Sequence, residues 1–208
     1  IITNIKSAEL IKHASNAFLA TKISFINSVA RICELSGADI EEVAEGMGHD
    51  KRISRHFLNA GIGYGGSCFP KDSQAFIKIA ENYGYDSKML KATNEINEEQ
   101  KKIFLDKVKK ALGSISGKNI AVLGLAFKPD TDDMRFAPSI YIINELKKEG
   151  ANIRAYDPKA MEKAKEVIAG FEFCRDPYEA SKGSDALLIL TEWNEFKEMD
   201  LKKIKNLL

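Results

Sequence analysis

This chain of 208 residues has no large excess of either charge, and it contains few cysteines and histidines. Its 31 basic and 30 acidic residues leave a net charge of +1, which provides no field to attract nucleic acid or an anionic membrane. Three cysteines and three histidines occur without C-x-x-C or H-x-x-x-H spacing, which disfavours a metal site. No apolar run is long enough to span a bilayer, and an odd number of cysteines suits a reducing compartment. We expect a cytoplasmic protein.

The first half of the sequence predicts helices around one glycine-rich loop. A long amphipathic helix spans 7–36, with Ser7 as its N-cap and Gly37 as its C-terminal stop. Asp39 predicts the start of a short second helix. Apolar residues of the long helix recur with a period close to 3.6: Leu10, Ala14, Ala17, Phe18, Thr21, Phe25, Val29 and Ile32. Because this helix is longer than most domains, we expect part of it to pack against another subunit or another domain.

The second half alternates apolar strands with short helices. "KNIAVLGLAF" and "DALLILTEW" predict buried strands, and "PSIYIINELKKEG" predicts a helix between them. Short connections between alternating elements indicate a parallel sheet with right-handed crossovers. The predicted fold is therefore α/β with an all-helical domain: a helical domain over 1–112, followed by a Rossmann-like domain over 113–208.

The stretch "AGIGYGGSCFPKD" contains G-x-G-x-x-G, the pattern of a dinucleotide-binding turn. That pattern should follow a strand and open a helix, but a helix precedes it here, so we reject this interpretation. The glycines permit close approach of the backbone to a ligand. Cys68 lies at a predicted helix N-terminus, where the helix dipole and Lys71 favour a thiolate. From the residues alone, a reactive and an inert Cys68 remain equally open.

Two further sets of polar residues suggest ligand contacts. Lys12 and Asn16 are four residues apart on the long helix and face the same side. After the first strand, Gly124 is the only glycine of the turn, so a standard pyrophosphate cradle is absent. Lys128 and Arg135 follow this turn and could bind phosphate or belong to a solvated loop. Their position at the carboxyl end of a parallel strand favours ligand binding.

Several long motifs together resemble a known family. "AELIKHASNAFLATKISFIN", "GIGYGGSCFPKD", "VLGLAFKPDTDDMR", "YDP" and "LTEW" occur in the order found in the UDP-glucose 6-dehydrogenases, within the NAD-dependent nucleotide-sugar dehydrogenases. The similarity runs from about Ser7 to Leu208. Such enzymes have an NAD-binding domain, a central helical dimerisation domain and a nucleotide-sugar-binding domain. The resemblance covers the last two, and the chain begins without methionine, so we expect part of a longer enzyme that is inactive alone.

The resemblance implies a four-electron oxidation of a nucleotide sugar, with NAD as cofactor and a homodimer formed through the long helix. Cys68 is implied as the nucleophile that carries the sugar as a thiohemiacetal and then a thioester. Lys12 and Asn16 are implied to stabilise the oxyanion, and Asp72 to order water or exchange protons. Residues implied to contact the nucleotide sugar are Arg52 (across the dimer), Phe57, Leu58, Tyr64, Gly65, Phe127 and Lys128. Lys71 and Arg135 are implied to reach NAD.

Alternative functions remain at this stage. "GGSCFPKD" and "LTEW" favour UDP-glucose as the substrate and UDP-glucuronate, a polysaccharide precursor, as the product. GDP-mannose or another nucleotide sugar would require the same catalytic residues. The chain could also be a non-catalytic dimerisation and nucleotide-binding module, or an unrelated redox-sensing thiol protein.

Overall fold

The computed structural model describes residues 2–208. Ile1, which the predicted first domain includes, lies outside the described residues. The described chain divides into two compact units, the first ending at Gln100 and the second running over Lys101–Leu208. No helix within residues 2–208 has both the length and the apolar character needed to cross a membrane. The structure confirms the predicted combination of a helical part and an α/β part with a parallel sheet.

The first unit is helical. Its elements are α1 (Ile5–Ser36), α2 (Ile40–Gly48), α3 (Phe69–Asn82) and the first part of α4 (Lys88–Leu112). The N-cap of α1 is Asn4 rather than the predicted Ser7, because the Asn4 side chain accepts a hydrogen bond from the Ser7 backbone N–H. Gly37 ends the helix in the left-handed conformation, and Asp39 caps α2, as predicted.

Mostly small residues, with Ile26 and Asn27, form the buried face of α1. The residues buried there are Ala17, Ala20, Ser24, Ile26, Asn27, Ala30 and Cys33. By contrast, the large side chains of Phe18, Phe25 and Ile32 are 65%, 51% and 63% exposed. The helix therefore packs closely on its own unit through small residues. Ile26 is its buried bulky residue, whereas Phe18, Phe25 and Ile32 face outward.

The second unit contains the sheet. After α4 come β1 (Asn119–Leu123), α5 (Pro138–Lys148), β2 (Asn152–Tyr156), α6 (Met161–Val167), β3 (Glu172–Phe173), α7 (Pro177–Ser181), β4 (Ala186–Ile189), α8 (Asn194–Lys197) and α9 (Leu201–Leu207). Within residues 2–208 the strands form one four-stranded sheet in the order β3-β2-β1-β4, with parallel pairs throughout. Ile120 of β1 lies opposite Ile153 of β2 and Ala186 of β4. The carboxyl ends of these strands therefore meet at one edge, where parallel sheets bind ligands.

Two strand predictions need correction. The first strand ends at Leu123, not at Phe127, because Gly124 turns the backbone at φ +87°. A Cβ on Gly124 would lie 2.6 Å from Cβ of Thr191, so no other residue fits there without movement. β4 was predicted to be buried, but Ile189 is exposed, because β4 is the outermost strand of this sheet.

Candidate active site

Three predicted site residues meet where α1 packs against α3. The Asn16 side-chain amide donates a hydrogen bond of 2.6 Å to Oδ2 of Asp72. The Lys12 ammonium lies 3.6 Å from the same oxygen. Asp72 itself is 2% exposed, whereas the Lys12 side chain is largely exposed. The i, i+4 spacing of Lys12 and Asn16 brings both onto one buried carboxylate, as the helical pattern predicted for their common face.

The environment of Asp72 keeps its carboxyl group ionised. Burial alone would raise the pKa of this group. The hydrogen bond from Asn16 and the charges of Lys12, His13 and Lys71 outweigh burial, so the pKa of Asp72 lies below its ordinary value. Asp72 is therefore an acceptor held between cations at neutral pH.

The lowered pKa of Asp72 predicts a pH-dependent contribution to folding. A carboxylate with a lowered folded-state pKa stabilises the protein above its unfolded pKa, and this contribution disappears as pH falls through the folded-state value. Asp72→Asn should therefore lower the free energy of unfolding at neutral pH. The difference from the unsubstituted chain should shrink at about pH 3. Urea titrations followed by circular dichroism at both pH values test this, and a difference that grows in acid would contradict it.

Cys68 occupies the N-cap position of α3, with Pro70 in the first turn. Its carbonyl accepts a 2.8 Å hydrogen bond from the Asp72 N–H, so Cys68 and Asp72 lie one helical turn apart. Of the three cysteines, all within the described part of the chain, Cys68 is exposed while Cys33 and Cys174 are buried. Cys68 is therefore the cysteine open to a substrate, and it lies on the helix that carries the buried carboxylate.

The glycine-rich segment is an irregular loop leading into α3. Gly63 and Gly66 have φ values of +104° and +78°, which favour glycine strongly. Tyr64 and Gly65 are buried between them. The Tyr64 ring packs edge-on against Phe69 with centroids 5.9 Å apart. Burial and the negative charge of Glu98 raise the pKa of Tyr64 to about 12, so its hydroxyl stays protonated.

The other predicted residues of the first unit differ in exposure. Arg52 is exposed, and its guanidinium bonds Asp50 through two nitrogens. Phe57 adopts φ +64° and packs against Phe69 with centroids 6.1 Å apart. The side chain of Leu58 is buried in the core, so only its backbone is available to a ligand. Lys71 is exposed in the first turn of α3.

In the second unit, the predicted residues lie on the loop between β1 and α5. The Lys128 ammonium lies 5.5 Å from the centroid of the partly buried Phe127 ring. Arg135 forms a two-nitrogen contact with the carboxylate of Asp133. The loop therefore presents an aromatic ring and two cations, which suit the base and phosphates of a nucleotide.

Asp157, at the end of β2, is a residue that the sequence analysis missed. Its carboxylate is 1% exposed. Within the described chain it accepts hydrogen bonds from the backbone N–H groups of Leu125, Ala126, Lys159 and Ala160 and from the indole N–H of Trp193. The buried carboxylate thus joins the segments that follow β1, β2 and β4 at the edge of the sheet where the strands end. The signal was the aspartate of "YDP" directly after a strand.

This arrangement does not fit a dinucleotide at the β1 turn. In dinucleotide-binding folds the turn N–H groups face pyrophosphate, and an acid at the end of β2 accepts from ribose. Here the N–H groups of Leu125 and Ala126 donate to Asp157. These N–H groups are therefore not available to pyrophosphate, and the Asp157 oxygen that they bond is not available to ribose. The turn after β1 therefore lacks the pyrophosphate and ribose contacts of a dinucleotide-binding turn.

Comparisons with known proteins agree with this geometry. Residues 6–99 match the model of the UDP-glucose/GDP-mannose dehydrogenase family, central domain, and residues 121–208 match that family's UDP binding domain. Nearly the whole chain is covered in the expected order. The chain belongs to the UDP-glucose/GDP-mannose dehydrogenase family.

Individual relatives cover the chain almost completely. UDP-glucose 6-dehydrogenase TuaD of Bacillus subtilis is 53% identical over 100% of this chain and 45% of its own length. UDP-glucose 6-dehydrogenase YwqF of the same organism is 55% identical over 99% of this chain and 47% of its own length. The structure of a UDP-glucose dehydrogenase from Pyrobaculum islandicum superposes with a TM-score of 0.93 at 39% identity, covering 96% of this chain and 46% of that one. The chain thus spans about half the length of these relatives.

Proposed function

We propose that the full-length protein oxidises UDP-glucose to UDP-glucuronate, with Cys68 as the covalent nucleophile. The observation that carries this proposal is the exposed Cys68 at the start of α3, one turn from a buried Asp72 that binds Asn16. The names of the relatives at 53% and 55% identity support UDP-glucose over GDP-mannose. The three cysteines, an odd number without a disulfide framework, support a reducing compartment such as the cytoplasm.

The proposed reaction has two oxidations and one hydrolysis. The C6 alcohol first loses a hydride and its hydroxyl proton, which gives an aldehyde. The sulfur of Cys68 then forms a bond to the carbonyl carbon, and the oxygen takes a proton, which gives a thiohemiacetal. Loss of a second hydride and the hydroxyl proton produces a thioester. Water attacks the thioester, the C–S bond breaks, and Cys68 leaves as the thiolate.

The residues around Cys68 have separate tasks in this scheme. Negative charge develops on the C6 oxygen whenever sulfur or water attacks the carbonyl carbon, and we assign its stabilisation to the Lys12 ammonium and the Asn16 amide. Asp72 holds both of these groups through one carboxylate oxygen. As an ionised acceptor it orients the hydrolytic water.

The cofactor is assigned mainly to parts of the protein outside this chain. When bound, NAD supplies the acceptor for the two hydrides. From this chain, Lys71 and Arg135 offer exposed cationic groups to its phosphates. UDP is assigned to the β1–α5 loop, where Phe127 and Lys128 meet the nucleotide.

Substrate specificity is the direct test of this proposal. The full-length protein should reduce NAD with UDP-glucose and should show no reduction above background with GDP-mannose. Absorbance at the NADH band, measured with each substrate at equal concentration, distinguishes them. Turnover of GDP-mannose alone would overturn the substrate assignment, and no turnover with any nucleotide sugar would overturn the proposed function.

We also propose that α1 forms a homodimer. Ile11, Phe18, Phe25 and Ile32 follow one another at intervals of seven residues, and all four are exposed. Apolar residues at this spacing form the seam of paired helices. At about 1.5 Å per residue, a helix of 32 residues is long enough to pair over several turns. A second copy offers the same stripe, so the contact is self-complementary.

Charge placed on this stripe should separate the subunits. Phe18→Glu combined with Phe25→Glu buries two like-charged pairs in a two-fold contact, and we expect a monomer by sedimentation velocity. Tyr83→Glu is the matched control because Tyr83 is an exposed aromatic residue directly after α3. The control should sediment like the unsubstituted protein. A dimer that persists in the double variant would exclude α1 as the interface.

A further inference from the structure

The glycine-rich loop before Cys68 is held by amide side chains of other helices. The N–H of Gly61 donates 2.8 Å to Oδ1 of Asn27, and its carbonyl accepts 2.8 Å from the Gln100 amide. Three residues later, the N–H of Tyr64 donates 2.7 Å to Oδ1 of Asn97, whose amide nitrogen returns a 3.1 Å bond to the Tyr64 carbonyl. Both peptide groups are thus paired with side chains in the way a neighbouring strand would pair them.

A third amide connects the loop with α3. Oδ1 of Asn94 accepts 3.0 Å from the hydroxyl of Tyr64 and 2.7 Å from the hydroxyl of Ser73. Ser73 is buried and directly follows Asp72. One oxygen on α4 therefore bonds residues on both sides of Cys68, four positions before it and five after it.

Asn94, Asn97 and Gln100 are spaced three residues apart, so they lie on one face of α4. Asn97 and Gln100 are buried. We define these three residues as the amide face of α4. Burying polar side chains costs free energy unless they form hydrogen bonds. All three residues of the amide face form hydrogen bonds with the glycine-rich loop.

We propose that the amide face of α4 is the positioning device that fixes the loop and presents Cys68 beside Asp72. This inference rests on the proposed function. Four glycines in 61–66 give the loop large conformational freedom, so its shape must be imposed from outside. Gly63 and Asn97 fit each other, since a Cβ on Gly63 would lie 2.8 Å from Oδ1 of Asn97. These residues act through the loop and do not touch the reacting atoms.

Hydrogen exchange of the 208-residue chain tests the inference without any substrate. Asn97→Ala removes both bonds to Tyr64, so exchange in a peptide covering 61–68 should accelerate about tenfold, as expected for loss of bonds to a buried group. Glu99→Ala, at an exposed position of the same helix, is the matched control and should leave that peptide unchanged. Unchanged exchange in the folded Asn97 variant would overturn the inference.

A second pair of variants separates positioning from general stability. Asn94→Asp keeps the acceptor oxygen that Tyr64 and Ser73 share, whereas Asn94→Ala removes it. In the full-length protein, Asn94→Ala should lower kcat about tenfold with little change in KM for UDP-glucose, and Asn94→Asp should retain kcat within about threefold. In this chain, hydrogen exchange of 61–68 should be faster in Asn94→Ala than in Asn94→Asp. Equal kcat and equal exchange of 61–68 in the two Asn94 variants would overturn the inference. This test applies even if Asn97→Ala does not fold.

The two readouts keep this inference separate from the proposed function. If unsubstituted full-length protein reduces no NAD with nucleotide sugars, the proposed reaction fails. Exchange of the loop still reports on the amide face in that case, because exchange requires neither cofactor nor substrate.

Discussion

Cys68→Ala should stop formation of the uronic acid by the full-length protein while leaving binding of the nucleotide sugar nearly unchanged. Without sulfur, the aldehyde cannot become a thiohemiacetal, so the second hydride transfer has no covalent precursor. We expect a loss of about 10³-fold or more in the rate of acid formation, as for removal of other covalent nucleophiles. Mass spectrometry of the product and calorimetric titration with UDP-glucose measure the two effects.

The control for Cys68 is an exposed residue on the same helix. Gln74→Ala leaves the thiol in place and should retain acid formation within about threefold, since exposed substitutions perturb folding little. Acid formation by Cys68→Ala at a rate near that of the control would contradict the covalent mechanism. Loss of UDP-glucose binding in Cys68→Ala would instead assign Cys68 to binding.

Asp157→Ala should strongly destabilise the second unit. The substitution leaves four backbone N–H groups and the Trp193 indole without their acceptor in a buried region. Because each unsatisfied buried donor costs about 1–3 kcal/mol before relaxation, we expect the free energy of unfolding to fall by at least about 3 kcal/mol.

Trp193 provides a local probe for this measurement. It is the only tryptophan in the sequence, and it bonds Asp157 directly, so its fluorescence in a urea titration reports on the second unit. Asp132→Ala removes an aspartate whose ion pair with Lys163 is about half exposed, so this control should leave the midpoint of the urea titration nearly unchanged. If Asp157→Ala lowers the stability of the second unit no more than the control does, the hydrogen bonds of Asp157 do not stabilise that unit.

The sequence predicted the elements better than it predicted their contacts. The alternation of strands and helices after Gly113 indicated a parallel sheet because periodicity and turn residues are local signals. Rejection of the glycine loop as a dinucleotide turn also followed from local context. The length of strands was less predictable: "VLGLAF" continues as an apolar run, but the left-handed Gly124 ends β1 earlier.

Long-range polar contacts were the part that local patterns could not provide. Lys12 and Asn16 were predicted to share a face, but their meeting with Asp72 depends on how α1 packs against α3. Likewise, the three-residue spacing of Asn94, Asn97 and Gln100 is visible in the sequence, yet it resembles an ordinary solvated helix face. Only the fold shows that the amides of Asn97 and Gln100 are buried against the loop.

The outward face of α1 illustrates a different limit. Its apolar period is clear, but a period does not say which partner covers the face. Within the first unit, small residues such as Ala20 and Ala30 are buried, and Phe18 and Phe25 are left exposed. The pattern predicted an amphipathic helix, but it did not predict that Ile26 would be buried in the unit while Phe18 and Phe25 stay exposed.

The central claim is that one protein removes four electrons from C6 of UDP-glucose, the second pair from a thiohemiacetal on Cys68. The most direct test supplies limiting UDP-glucose and excess NAD to the full-length protein and counts the NADH formed at completion. The account predicts two equivalents of NADH and one equivalent of UDP-glucuronate per UDP-glucose. One equivalent of NADH, with an aldehyde as the final product, would contradict the claim.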